Sequence, residues 1–126
     1  MDAEREDLST IDQRLFDPTR PPEASFALLV VDGPDAGARM TVDGGASGRL
    51  LVGTGPGCEL RLSDRAVSRR HLAVELEGSS LLLEDLGSTN GTSVEGVRIR
   101  EALVSGGESV RIGGTVLRVE RGGTQG

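Results

Sequence analysis

Ser68-Arg69-Arg70-His71-Leu72-Ala73-Val74-Glu75-Leu76-Glu77 runs through Gly78-Ser79 into Ser80-Leu81-Leu82-Leu83-Glu84-Asp85-Leu86, and then into Gly87-Ser88-Thr89-Asn90-Gly91-Thr92. The middle of this stretch reads as two strands and a turn. Leu72, Val74 and Leu76 alternate with His71, Ala73, Glu75 and Glu77, the period-two pattern of a strand with one packed face and one wet face. Each end of the hairpin carries a polar cluster. The first sets a hydroxyl, two guanidiniums and the single histidine side by side, an inventory suited to gripping a phosphate rather than breaking a bond. The second is a turn with hydroxyl and amide side chains at its tip.

The same rhythm extends outward in both directions. From Phe26 to Glu120 short apolar runs alternate with glycine-containing breaks, and the segments 26–31, 38–42, 49–52, 59–62, 71–77, 80–84, 92–94, 97–99, 102–104, 108–112 and 115–120 read as strands. Gly113-Gly114 and Glu95-Gly96 each stand as a two-residue loop between strands, which favours turns with positive φ. No helical stripe interrupts this order, so the expected fold is an all-β sandwich of about eleven short strands. Before Phe26, residues 1–25 hold seven acids against three arginines and end in a proline-rich run, Asp17-Pro18-Thr19-Arg20-Pro21-Pro22. They read as an acidic tail, with a short helix over Leu8–Phe16 as its one candidate element. Residues 121–126 read as a linker able to lead into a further domain.

Composition removes several function classes. The 126 residues carry a net charge of −6 and contain two Phe, no Trp and no Tyr, so there is no aromatic platform on which single-stranded nucleic acid can stack. An acidic chain also disfavours generic duplex binding. Every basic residue is arginine, which excludes a Walker-type phosphate loop with its essential lysine. The one cysteine, Cys58, rules out an intrachain disulfide and a cysteine-rich zinc site and fits a reducing cytoplasm. The longest apolar run, Phe26–Val31, has the length of a strand and not of a membrane span.

Taken together, Ser68-Arg69-Arg70-His71 and Gly87-Ser88-Thr89-Asn90-Gly91-Thr92 at this spacing resemble the forkhead-associated (FHA) family, small β-sandwiches that read phosphothreonine in partner proteins. The resemblance covers roughly residues 26–120. It implies that Ser68 and Arg69 contact phosphate, that Thr89 is a second hydroxyl ligand, and that Asn90 clamps the backbone of the bound peptide. His71 is expected to brace the loops from a buried position, with Gly87, Gly91 and Gly96 supplying turn geometry and Gly53 supporting the site. Arg65, with Arg69 and Arg70, completes a local positive patch suited to the nearly doubly charged phosphothreonine. No cofactor, metal, nucleic acid or membrane is implied.

One position departs from the family pattern. Where FHA domains carry a Gly-Arg pair whose arginine meets the phosphate, this chain reads Gly53-Thr54. A charge-assisted hydrogen bond contributes ~1.5–3 kcal/mol, so its loss weakens binding about ten- to a hundred-fold unless Arg65, Arg69 or Arg70 substitutes. The expectation is therefore retained but weaker phosphothreonine binding, set against a phosphate-independent scaffold that uses the same loops. The resemblance also admits two wider settings. One is the N-terminal regulatory domain of a bacterial enhancer-binding transcription activator. The other is a self-binding switch in which phosphorylated Thr10 or Thr19 reaches the domain's own pocket. A hydrolase triad of Ser68, His71 and Asp85 is disfavoured, because Ser68 lacks the Gly-x-Ser-x-Gly elbow. Gly53-Thr54-Gly55-Pro56-Gly57 has the wrong spacing for a dinucleotide loop and no helix behind it.

Overall fold

The computed structural model describes residues 25–43 and 48–122. The candidate helix over Leu8–Phe16, together with Thr10 and Thr19, lies outside them. Eleven strands are found among the described residues: β1 (Phe26–Asp32), β2 (Arg39–Val42), β3 (Leu50–Gly53), β4 (Leu60–Arg61), β5 (Leu72–Glu77), β6 (Ser80–Asp85), β7 (Thr92–Val94), β8 (Val97–Ile99), β9 (Glu101–Val104), β10 (Ser109–Ile112) and β11 (Thr115–Arg121). Each falls where the alternating pattern places one. The last runs one residue further than expected, because Arg121 pairs with Phe26 and its guanidinium lies 5.2 Å over that ring.

The strands form two sheets, a five-stranded one in the order β9-β6-β5-β3-β4 and a six-stranded one in the order β2-β1-β11-β10-β7-β8. All pairings are antiparallel except β3 with β4, which run parallel in the register Val52↔Leu60 and Gly53↔Arg61. The core lies between the sheets. Val52, Leu72, Val74, Leu81, Leu83 and Val104 face Leu28, Val30, Val110, Ile112, Leu117 and Val119. Phe26 is the one aromatic residue here among those described, so closure of the core rests on interdigitated aliphatic side chains.

The expectation of one wet face on β5 needs correction. His71 and Ala73 are buried as fully as Leu72 and Val74, and only Glu77 is fully exposed. Ala73 is short, and its cross-strand neighbours Leu51 and Glu84 stand on either side of it. His71 is covered by the loops that carry the two polar clusters. Alternation in the sequence therefore marks the inner face correctly but is blind to what roofs the outer one.

Candidate functional site

The loop from Leu62 to His71 lies against the end of β3. His71 N–H donates to the Val52 carbonyl at 3.0 Å, Thr54 N–H to the Ser68 carbonyl at 3.1 Å, and Gly55 N–H to the Arg69 carbonyl at 3.0 Å. The Cys58 thiol donates to the same Arg69 oxygen at 3.1 Å. This close approach explains Gly53, since a Cβ there would overlap the carbonyl oxygens of Arg69 and Ser68.

His71 joins this loop to the second one. Its Nδ1 accepts the Ser68 backbone N–H at 3.1 Å, and its Nε2 lies 2.9 Å from the Gly91 carbonyl oxygen. That pairing puts the proton on Nε2, which donates to Gly91, and leaves the Nδ1 lone pair for Ser68. The ring is fully buried. Ser68 thus meets the imidazole through its backbone and not through its hydroxyl, so that although His71 Nε2 lies 3.8 Å from Asp85 Oδ1, the Ser68 hydroxyl is not in line with them.

Asp85 organises the Gly87–Thr92 loop. Its Oδ2 accepts the Gly87 and Ser88 backbone N–H groups, each at 3.0 Å. Its Oδ1 accepts the Ser88 hydroxyl at 2.6 Å and the buried Thr92 hydroxyl at 2.7 Å. Ser88 Oγ in turn accepts the Gly91 N–H at 2.9 Å. Partial burial pushes the Asp85 carboxyl up, but the hydrogen bonds from Ser88 and Thr92 outweigh it and hold the group below its ordinary value of 3.8. Asp64 does the same for the other loop. It accepts Ala66 N–H at 2.9 Å, and Gly114 N–H and the Thr115 hydroxyl at 2.8 Å each. Desolvation opposes these bonds without cancelling them, and Asp64 too lies below 3.8.

The two loops meet at Ser68. Its Oγ accepts the Thr89 N–H at 3.1 Å, which leaves the Ser68 hydroxyl proton without an acceptor among the described residues. Asn90 Nδ2 donates to the Ala66 carbonyl at 2.8 Å, so the amide is fixed in orientation with its Oδ1 still open. Thr89 and Asn90 are exposed, as are Arg65, Arg69 and Arg70. None of these three guanidiniums is hydrogen-bonded or ion-paired to a described residue. An exposed hydroxyl, a fixed amide and unpaired guanidiniums at one rim can bind an anion attached to a peptide. They offer no nucleophile with a base in line.

The expected residues fall into two groups. Ser68, Arg69, His71, Thr89, Asn90, Gly53, Gly87 and Gly91 are tied into one network of loops. Thr54 and Arg65 instead line an adjoining cleft of about 580 Å³ with Arg61, Leu62, Ser63, Asp64 and Val67, and Arg70 is exposed. Three contributors escaped the sequence reading. Asp64 and Asp85 each cap a backbone N–H two residues on, an Asx turn readable as Asp-Arg-Ala and Asp-Leu-Gly. Arg61 had no local signal, since it reaches the cleft only through the parallel pairing of β4 with β3.

Residues 29–123 match the family model described as the cytoplasmic domain of an inner membrane component of T3SS, an FHA-like domain. A solved FHA structure, from work on phosphothreonine-dependent FHA domain interactions, superposes with a TM-score of 0.71 at 33% identity and is 99% covered, over 79% of this chain. The chain belongs to the FHA family. A second FHA domain, that of FhaA in complex with the intracellular domain of Rv3910, superposes with a TM-score of 0.67 at 34% identity over 75% of this chain and 99% of its own. Among curated proteins, the glycogen accumulation regulator GarA of Mycolicibacterium smegmatis is 37% identical over 92 residues, 73% of this chain and 56% of GarA. FhaB of Mycobacterium tuberculosis is 37% identical over 97 residues, 76% of this chain and 61% of FhaB. The chain thus spans little more than half the length of these relatives. Among the described residues no helix is long and apolar enough to cross a membrane.

Proposed function

We propose that this FHA domain binds phosphothreonine-containing segments of partner proteins through the rim formed by Ser68, Arg69, Thr89 and Asn90. The observation that carries the reading is the Ser68–Thr89 bond between the loops. It uses one lone pair of the Ser68 oxygen as an acceptor from the protein and leaves the hydroxyl proton to donate to a ligand, while the exposed guanidiniums of Arg69 and Arg70 have no partner among the described residues. Ser68 and Thr89 hydroxyls then donate to phosphate oxygens, Arg69 supplies positive charge, and Asn90 Oδ1 accepts a backbone N–H of the peptide. His71, Gly53, Gly87 and Gly91 position these groups without touching the ligand. The resemblance to FHA structures solved for phosphothreonine-dependent interactions, and to an FHA domain held in complex with another protein, supports this assignment. The domain acts as a binding module and not as a catalyst, and its free cysteine suits a reducing cytoplasm.

The test is fluorescence anisotropy of labelled degenerate phosphothreonine peptides against the full chain, with unphosphorylated copies and Ser68→Ala beside them. Labels are required because the chain has no Trp or Tyr. Phosphate-dependent binding that falls about a hundred-fold in Ser68→Ala is the expected result. Equal binding of the phosphorylated and unphosphorylated peptides makes the domain a phosphate-independent scaffold.

A further inference from the structure

The loop end of β3 lacks the arginine that the family pattern puts after Gly53, and the structure brings another one to that place. We propose that Arg61 supplies the phosphate contact of the arginine missing after Gly53. It sits on β4 directly beside Gly53 in the parallel register, and its Nε donates to the Thr54 carbonyl at 3.0 Å. The anchor uses one of the five guanidinium N–H groups, and the other four have no partner among the described residues. The side chain is therefore held across the backbone of the residue that replaced the arginine, with its terminal nitrogens unspent.

The surroundings fit a dianion. Arg61 lines the cleft of about 580 Å³ together with Thr54 and with Arg65, a second guanidinium lacking a partner among the described residues. Asp64 borders the same cleft, but its carboxylate is already occupied by the Ala66 and Gly114 N–H groups and the Thr115 hydroxyl. The cleft adjoins the Ser68 rim, because Thr54 N–H is bonded to the Ser68 carbonyl at 3.1 Å. Phosphate held by the Ser68 hydroxyl meets Arg61 from the β4 side, and Arg65 adds a weaker, longer-range attraction. A guanidinium delivered across the sheet thus replaces one delivered along the strand.

This inference rests on the phosphothreonine reading above, and the experiment separates the two. Affinities for labelled degenerate phosphothreonine peptides and their unphosphorylated copies are measured for the full chain, Ser68→Ala, Arg61→Ala, and Arg61→Ala combined with Thr54→Arg. Arg61 is exposed, so its truncation leaves the core intact, and the circular dichroism spectrum and urea midpoint of each variant check this. Arg61→Ala is expected to weaken phosphopeptide binding about ten- to a hundred-fold and leave the unphosphorylated peptides unchanged. Thr54→Arg in that background restores most of the loss by returning the guanidinium along β3. Unchanged affinity in Arg61→Ala, alongside the loss in Ser68→Ala, overturns the inference and leaves the phosphothreonine reading standing. An equal loss for both peptide forms, or no rescue by Thr54→Arg, overturns it as well. Equal binding of both forms by the unaltered chain removes the reading and the inference together.

Discussion

At the end of the sandwich where Ser68 meets Thr89, the loops that follow Asp32, Arg61 and Asp85 are long and are held by side chains, beside the short connections at Arg100 and Gly113-Gly114. At the opposite end, Gly78-Ser79, Glu95-Gly96 and Ser105–Glu108 join strands through short turns. The buried polar residues among those described, His71, Thr92 and Thr115, all lie at the first end. There Asp35, Asp64 and Asp85 accept hydrogen bonds from loop backbone and hydroxyls: Asp35 from Ser63 N–H at 2.7 Å and Ser63 Oγ at 2.9 Å, the other two as described above. Positive φ occurs at both ends, at Gly33, Gly37, Gly87, Gly91 and Gly113 at the first and at Gly78, Glu95, Gly96, Gly106 and Gly107 at the far one; what differs is that the far end adds only two glutamates that accept loop N–H groups. A tight turn needs only residues that tolerate its dihedrals. A long loop that must present hydroxyls at fixed positions needs its backbone donors satisfied by side chains, and each such bond removes freedom that peptide binding would otherwise have to remove.

The sharpest way to break this contrast is His71→Ala. It leaves a cavity where a fully buried ring stood and strips the Ser68 N–H and the Gly91 carbonyl of their partners. Cavity and stranded polar groups together cost about 4 kcal/mol, a large share of the stability of a domain this size. Urea denaturation should show that loss, and phosphopeptide binding should disappear even at low temperature where the variant is still folded. A cost below about 1 kcal/mol would mean that the loops hold their shape without the histidine.

Asp85→Asn comes next, at about 2 kcal/mol, because an amide accepts through only one oxygen and loses the charge that strengthens four hydrogen bonds. The same group gives the domain an acid limb of known sign. The carboxyls of Asp64 and Asp85 lie below 3.8 in the folded state. The stability they contribute is therefore complete above their unfolded value and is lost as pH falls from there through the lower folded values. Glu108, at the far end, lies below 4.5 despite partial burial, because the Ser105, Gly106 and Glu108 backbone N–H groups favour its charged form, and it adds a loss of the same sign. Stability measured by denaturant melts from pH 7 to pH 3 should be flat and then fall, and in Asp85→Asn the fall should be shallower. An identical slope in both proteins would remove Asp85 from the account.

Much of the fold was legible because alternation and glycine placement are local properties. Leu72, Val74 and Leu76 report an inner face within six residues, and Gly113-Gly114 and Glu95-Gly96 fix hairpins over four. That Ser68, His71, Thr89 and Asn90 come together was legible for another reason, since their spacing resembles the FHA pattern, and the structure joins them through hydrogen bonds between the loops. What escaped needed pairing across the sheet. Arg61 has no meaning as a cleft residue until β4 lies parallel to β3, and the burial of Ala73 depends on Leu51 and Glu84 beside it. Asp85 was visible only as a member of a triad that does not form. Its role as acceptor for the 87–92 loop follows from an Asp-x-Gly turn, which is readable once capping and not catalysis is the question asked.

The smallest effect sharpens the contrast from the other side. Glu95 is the one non-glycine residue with positive φ, at 51°, among those described, and an ordinary side chain pays about 1 kcal/mol for that conformation. Its Oε2 accepts the Ser109 N–H at 2.6 Å, which returns a comparable amount. Glu95→Gly removes the strain and the hydrogen bond together, so its stability should stay within about 0.5 kcal/mol of the parent and its phosphopeptide affinity should not change. A turn whose one side-chain hydrogen bond only offsets its own backbone strain tolerates that exchange. Were Glu95→Gly to weaken peptide binding several-fold, the two ends would be coupled through β7, which begins at Thr92 on the Asp85 network and ends at this turn, and the division between a rim held by side chains and a far end held by turns would fail.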